Sequence, residues 1–178
     1  MGPHVPNVAL ADYRALAAFR YEIRRFLAFS ERAARSLGIE PQQHQLLLAV
    51  RGFPGSSRPT IGNIAERLCV EHHTTVGLVD KLEERALLRR QRGTEDRREV
   101  FLELTTAGST LLRKLSVLHR DQLLRVGPHM VDALDAILSA YGLPRPSKSN
   151  GKSGTWPRLE TPAKRARATS PRRRASAR

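Results

Sequence analysis

Apolar residues recur along this chain with two periods, and the change from one to the other falls between residues 60 and 108. In TIGNIAERL, Ile61, Ile64, Ala65 and Leu68 share one stripe, and in HHTTVGLVDKLEER the same holds for Thr75, Leu78, Val79 and Leu82. Both follow the i, i+3, i+4, i+7 spacing of an amphipathic helix. The period then drops to two: Val100, Leu102 and Leu104 alternate with Glu99, Phe101 and Glu103, as a half-exposed strand requires. ALLRRQR supplies a partner strand, and Gly93 to Asp96 supply the turn residues of a hairpin. Two short helices joined by the turn CVE therefore pack stripe on stripe, with a hairpin after them. Left outward on the second helix are His72, His73, Val76, Gly77 and Lys81, a face without acids and small enough to approach a groove. Arg89, Arg90, Arg92, Arg97 and Arg98 crowd the two ends of the hairpin. The pattern predicts a winged helix-turn-helix, mainly α with a small β-hairpin wing.

Longer apolar patterns flank this unit. Residues 12–37 read as one long helix with Leu16, Phe19, Ile23, Phe26, Leu27, Ala34 and Leu37 on a broad face, ended by Gly38. Pro41 suits the first turn of the next helix, PQQHQLLLAVR, whose leucines are too continuous for a surface, so that helix is expected at the centre. GFPGSSRP reads as a loop, with Thr60 as an N-cap. After the hairpin, Thr105 or Thr106 caps a helix carrying Leu111, Leu112, Leu115, Leu118, Gln122 and Leu123. Gly127 and Pro128 are expected to break it, and HMVDALDAILSAY to begin again with Val131, Leu134, Ile137, Leu138 and Tyr141 apolar. These terminal helices need a partner surface, which the first long helix and a second copy of the chain would supply.

Composition divides the chain in two. The formal charge is +14 over 178 residues, but up to Tyr141 there are 20 Lys+Arg against 16 Asp+Glu, and in residues 142–178 there are 11 against 1. That last segment is rich in Pro, Ser, Gly and Arg with almost no aliphatic residue, so it is expected to be disordered. The reading is a domain over residues 1–141, with a core at about 41–104 and pairing helices at about 12–37 and 106–141, followed by a basic tail at 142–178. Basicity of this kind fits nucleic acid, an anionic membrane or an acidic protein. No apolar run approaches the roughly 18 to 20 residues of a membrane span, and the first residues lack the marks of an export signal. A cytoplasmic protein without membrane contact is expected.

The segments IAERL and LVDKLEERALLRR, and above all the D-x-R of Asp96 and Arg98 running into LELTTAG at Leu102 to Gly108, resemble the multiple antibiotic resistance regulator (MarR) family of bacterial transcription factors. The resemblance covers residues from about 12 to 141. It implies a homodimer, with the terminal helices intertwined, that sets two reading helices in successive major grooves of double-stranded DNA, most often as a repressor released by a small molecule. It implies that His72, His73, Thr74, Val76, Gly77 and Lys81 face DNA. It also implies that Arg97 and Arg98 lie on the wing, with Arg98 entering the minor groove and Asp80 pairing with it; Asp96 and Asp80 position the wing. A common family pattern has Thr and Arg where this chain has Val76 and Gly77, which removes one bidentate guanine contact and leaves Val76 to touch a thymine methyl. Small aromatic ligands of the family bind between the first, second and fifth helices, which places Phe19, Ile23, Phe26 and His44 as pocket candidates.

Other chemistry is weaker. His72 and His73 are adjacent and point about 100° apart on a helix, so they do not chelate together, and no metal or other cofactor is expected. Cys69 reads as a small core residue in the turn between helices. Glu83 with Glu84, and Asp132 with Asp135, have the spacing of solvated helix faces, and no nucleophile elbow or phosphate-binding glycine loop is present, so no enzyme is expected. Two rivals remain beside the regulator: an architectural nucleoid-type protein dominated by the basic tail, and a winged-helix module that binds protein.

Overall fold

A computed structural model describes residues 8–54, 58–93 and 99–140, arranged as α1 (Leu10–Ser36), α2 (Pro41–Arg51), α3 (Ile61–Leu68), α4 (His72–Glu84), β1 (Leu88–Arg92), β2 (Val100–Leu104) and α5 (Thr106–Ala140). The two strands are antiparallel in the register Leu88 to Leu104, Arg90 to Leu102 and Arg92 to Val100. Five helices with one hairpin make a winged helix-turn-helix, as the periodicity predicts. Among the described residues no helix is long and apolar enough to cross a membrane.

The helix ends follow local chemistry. Asp12 lies on the first turn of α1 and accepts from the backbone N–H of Ala9 at 3.0 Å, so the helix starts two residues earlier than expected. After Ser36 the chain turns through Gly38 at φ 75, which lets Gly38 and Ile39 donate back to Arg35 and Ala34. Thr60 caps α3 by accepting from Asn63 N–H, while the Asn63 carbonyl accepts from Thr60 N–H. Thr105 is the residue that caps α5: its hydroxyl accepts from Gly108 N–H at 3.0 Å and donates to the Ala86 carbonyl at 2.7 Å.

The core gathers where the stripes meet. Leu46 and Leu47 of α2, Ile64 of α3, Val79 and Leu82 of α4, and Leu115 of α5 are all fully buried. Burying such a side chain stabilises by about 1.5–3 kcal/mol, and α2, which packs against α1, α3, α4, α5 and β2, is the central helix. Its leucine run is not wholly interior, however, because Leu48 is half exposed.

Three expectations need correction. The helix after the hairpin does not stop at Gly127 and Pro128; α5 runs through both to Ala140. Pro128 is exposed, and Leu124, whose carbonyl loses its partner four residues on, is the most exposed large apolar residue among the described residues, so water can satisfy that carbonyl while α1 packs along the helix. Cys69 is exposed, because it ends α3 in the left-handed region at φ 55 instead of continuing a buried stripe. Of the face predicted on α1, Ala34 is buried and Phe19, Ile23, Phe26 and Leu37 are half-buried, but Leu16 and Leu27 remain exposed.

Candidate nucleic-acid interface

The orientation of α4 is set by its buried stripe. Thr75, Leu78, Val79 and Leu82 face the core, and the buried Thr75 hydroxyl is satisfied by donating to the Glu71 carbonyl one turn back. That leaves His72, His73 and Lys81 exposed and Thr74, Val76 and Gly77 half-buried on the outer side. A Cβ built on Gly77 would meet nothing within 4 Å, so this part of the helix is flanked by open space. Gly77→Ala is therefore expected to raise stability by about 0.5–1 kcal/mol through helix propensity alone. Urea denaturation checks it, and a loss of stability would mean that the space is occupied.

Among the described residues, one arginine ties the hairpin to α4. Arg90 of β1 donates through its guanidinium to Asp80 at 2.7 Å and to Glu83, and its backbone N–H donates to Glu83 at 2.7 Å. Burial on its own would lower the Arg90 pKa, but the hydrogen bonds and charges of Asp80 and Glu83 outweigh it and raise the pKa further. Asp80, expected beside Arg98, thus holds Arg90. Arg97, Arg98 and Asp96 lie outside the described residues. On the other face of the hairpin, Arg89 pairs with Glu103 across the strands at 3.0 Å.

A second cluster forms where α1, α2 and α5 meet. His44, 3% exposed, packs its ring 4.6 Å from that of His119, and Phe26 and Phe29 present their rings edge-on to His119 at 5.9 and 5.8 Å. His119 Nδ1 donates to the Leu115 carbonyl at 2.6 Å, and its Nε2 lies 2.8 Å from the Ser30 hydroxyl. Nδ1 of His44 is buried with no hydrogen-bond partner among the described residues. Burial, and secondarily the charge of His119, lowers the His44 pKa to about 4. Of the four pocket candidates, Phe26 and His44 are brought to this cluster, whereas Phe19 and Ile23 are half-buried further back along α1. A separate open cleft of about 340 Å³ runs beside α4, reached by Arg35 of α1, Gln43 of α2 and Lys81. Among the described residues, no three His, Cys, Asp or Glu side chains gather as a metal would require.

Sequence reasoning passed over Arg90 as a link, and Phe29 and Ser30 as neighbours of His119. Arg90 was visible only as one of several hairpin arginines, since nothing in its neighbours along the chain marks the carboxylates seven and ten residues before it.

The sequence model of the MarR family matches residues 37–99, the span from the end of α1 into the hairpin. No protein with a curated description matches the chain. Among solved structures, AbsC, a MarR family transcriptional regulator from Streptomyces coelicolor, superposes with a TM-score of 0.61 at 19% identity, over 78% of this chain and 96% of that one. A mutant of MepR from S. aureus, bound to an oligodeoxyribonucleotide, gives 0.55 at 21% identity over 72% and 97%. CouR from Rhodococcus jostii RHA1, bound to p-coumaroyl-CoA, gives 0.57 at 23% identity over 74% and 95%. At these identities the likeness is one of fold.

Proposed function

Residues 37–99 belong to the MarR family of winged-helix, DNA-binding transcriptional regulators, and from that premise we propose that this protein is a homodimeric, sequence-specific repressor without enzymatic activity. It acts in the cytoplasm on a pseudo-palindromic operator and leaves it when a small aromatic molecule binds. The observation that carries this reading is the outer side of α4: His72, His73, Thr74, Val76, Gly77 and Lys81 stand together, backed by a buried stripe and bounded on one edge by the hairpin. Imidazoles and an ammonium suit base edges and phosphates, and Gly77 lets the backbone come close.

Pairing of two copies is supported by the apolar side chains that α1 and α5 leave exposed. Leu10, Tyr13, Leu124 and Val131 are each more than half exposed. Two-fold pairing through these helices would set the two copies of α4 about 34 to 36 Å apart, one turn of DNA. The ligand would enter at the cluster of Phe26, Phe29, His44 and His119, which joins the pairing helices to α2. It would act by preferring a spacing of the two reading heads that differs from the DNA-bound one.

The excess of ten positive charges in residues 142–178, which lie outside the described residues, favours a second reading as an architectural DNA-binding protein. The test is selection of genomic fragments at near-physiological salt by the full chain and by a form ending at Tyr141. Recovery by both of an inverted repeat with half-sites about 10 base pairs apart supports the repressor; retention by the full chain alone, without a shared motif, supports the second reading. In the repressor, Arg98→Ala is expected to lower the slope of log K against log salt by about one. An unchanged slope would remove Arg98 from the minor groove.

A further inference from the structure

The short stretch before α3 runs beside the hairpin. Leu102 N–H donates to the Pro59 carbonyl at 2.8 Å, and Thr60 bridges to Phe101, so residues 58–60 are held against β2 as a third edge. Arg58 projects from this edge. Its guanidinium lies over the Phe101 ring, 4.7 Å from the centroid, and donates to the Gln91 side-chain carbonyl at 2.5 Å. Gln91 and Phe101 are cross-strand partners, and they alternate with the buried Leu102 and the α4-facing Arg90, so the stack stands on the outer face of the sheet.

Two of the three arginines of β1 are differently placed. Arg89 meets Glu103, and Arg90 meets Asp80 and Glu83. Among the described residues, the partners of Arg58 are an aromatic ring and a neutral amide, which fix the side chain without cancelling its charge. A guanidinium has five N–H donors in a rigid fork, and one bond to Gln91 leaves most of them available. The stack lies two residue pairs below Gly93 and Glu99, which is about 7 Å at the rise of a strand. It is therefore close to the hairpin tip and next to the start of the helix-turn-helix.

We propose that Arg58 is a DNA-backbone contact: its guanidinium, pre-set on Phe101, binds a phosphate beside the groove that the wing enters. This rests on the DNA-binding reading above and adds a site at the junction of wing and α3. Contact with phosphate carries no base information, so its contribution is equal for every sequence that the wing engages. The aromatic stack removes the rotamer freedom that a long exposed side chain would otherwise lose on binding.

The test measures affinity of the full-length protein for the selected duplex and for a scrambled duplex of the same length, over a range of salt. Arg58→Ala is expected to weaken binding to both about fivefold at 0.15 M salt and to lower the salt slope by about one. Arg58→Lys should keep the slope, since it keeps the charge. Phe101→Leu should keep the slope too and weaken binding about two- to fivefold, because it removes the stack alone. If Arg58→Ala binds with wild-type affinity and slope, the phosphate contact is refuted while the regulator reading stands. If the wild-type protein itself fails to retain the duplex, the DNA-binding reading falls and the contact with it.

Discussion

Gly108→Ala is expected to destabilise the protein by about 3–5 kcal/mol, at or beyond the upper end of ordinary overpacking. A Cβ at this position in the first turn of α5 would lie 1.9 Å from the Leu87 carbonyl oxygen and 2.9 Å from its carbon. The obstruction is backbone, and that backbone is pinned. Leu87 N–H donates to Leu82, its carbonyl accepts from Thr105 N–H, and the neighbouring Ala86 carbonyl accepts the Thr105 hydroxyl. Relief would require α5 to lift off the turn between α4 and β1, breaking the cap that Thr105 provides. Urea denaturation at fixed protein concentration measures the change, with Gly127→Ala as the control, since a Cβ there meets nothing within 4 Å. A cost for Gly108→Ala below about 1 kcal/mol would show that the close approach is relieved at little expense.

Gly108 also marks how far the sequence could be read. LELTTAG was legible as the end of a strand and the start of a helix, because both periods and the cap threonine lie within seven residues. The requirement for glycine is set by Leu87, which is distant along the chain, and no local pattern announces it. The same division runs through the rest of the fold. The stripes of α3 and α4, the cap at Thr60 and the alternation around Leu102 are nearest-neighbour chemistry and appear where expected. Continuity of α5 through Pro128 was hidden, since local rules count the lost hydrogen bond but not the packing of α1 along the helix. Cys69 was misplaced because its exposure follows from a left-handed backbone at a helix end.

For the candidate interface, the outward residues of α4 were read from periodicity, and that succeeds because burial of one stripe determines what remains outside. The links that orient the interface were not readable. Arg90 to Asp80 and Glu83, and Arg58 to Phe101 and Gln91, join residues from different elements, and in each case several arginines were equal candidates by sequence. The family likeness paired Asp80 with Arg98, which lies outside the described residues; among the described residues Asp80 pairs with Arg90, which fastens the hairpin to α4. That arrangement makes the angle between α4 and the wing a property of the protein before any DNA is present. Binding energy is then not spent on ordering the wing's base.

Acidification should destabilise the protein through His44. In the folded chain burial holds its pKa near 4, whereas an unfolded chain has the ordinary value of 6.5. Below about 6.5 the unfolded state therefore takes up a proton that the folded state refuses. Stability contributed by the neutral ring is complete above about pH 7 and is lost progressively as pH falls to about 4, a total of roughly 3 kcal/mol. Carboxylates titrate over the lower part of the same range, so the informative quantity is the difference between wild type and His44→Phe, which keeps a ring against His119. Denaturation midpoints at pH 7.5 and 5 should fall more for the wild type, by close to 2 kcal/mol in stability. Equal falls would mean that His44 is protonated in the folded state, with its orphaned Nδ1 reaching a partner. His44 belongs to α2 and packs on the His119 ring of α5, so a proton forced onto it places a charge inside the joint between these two helices.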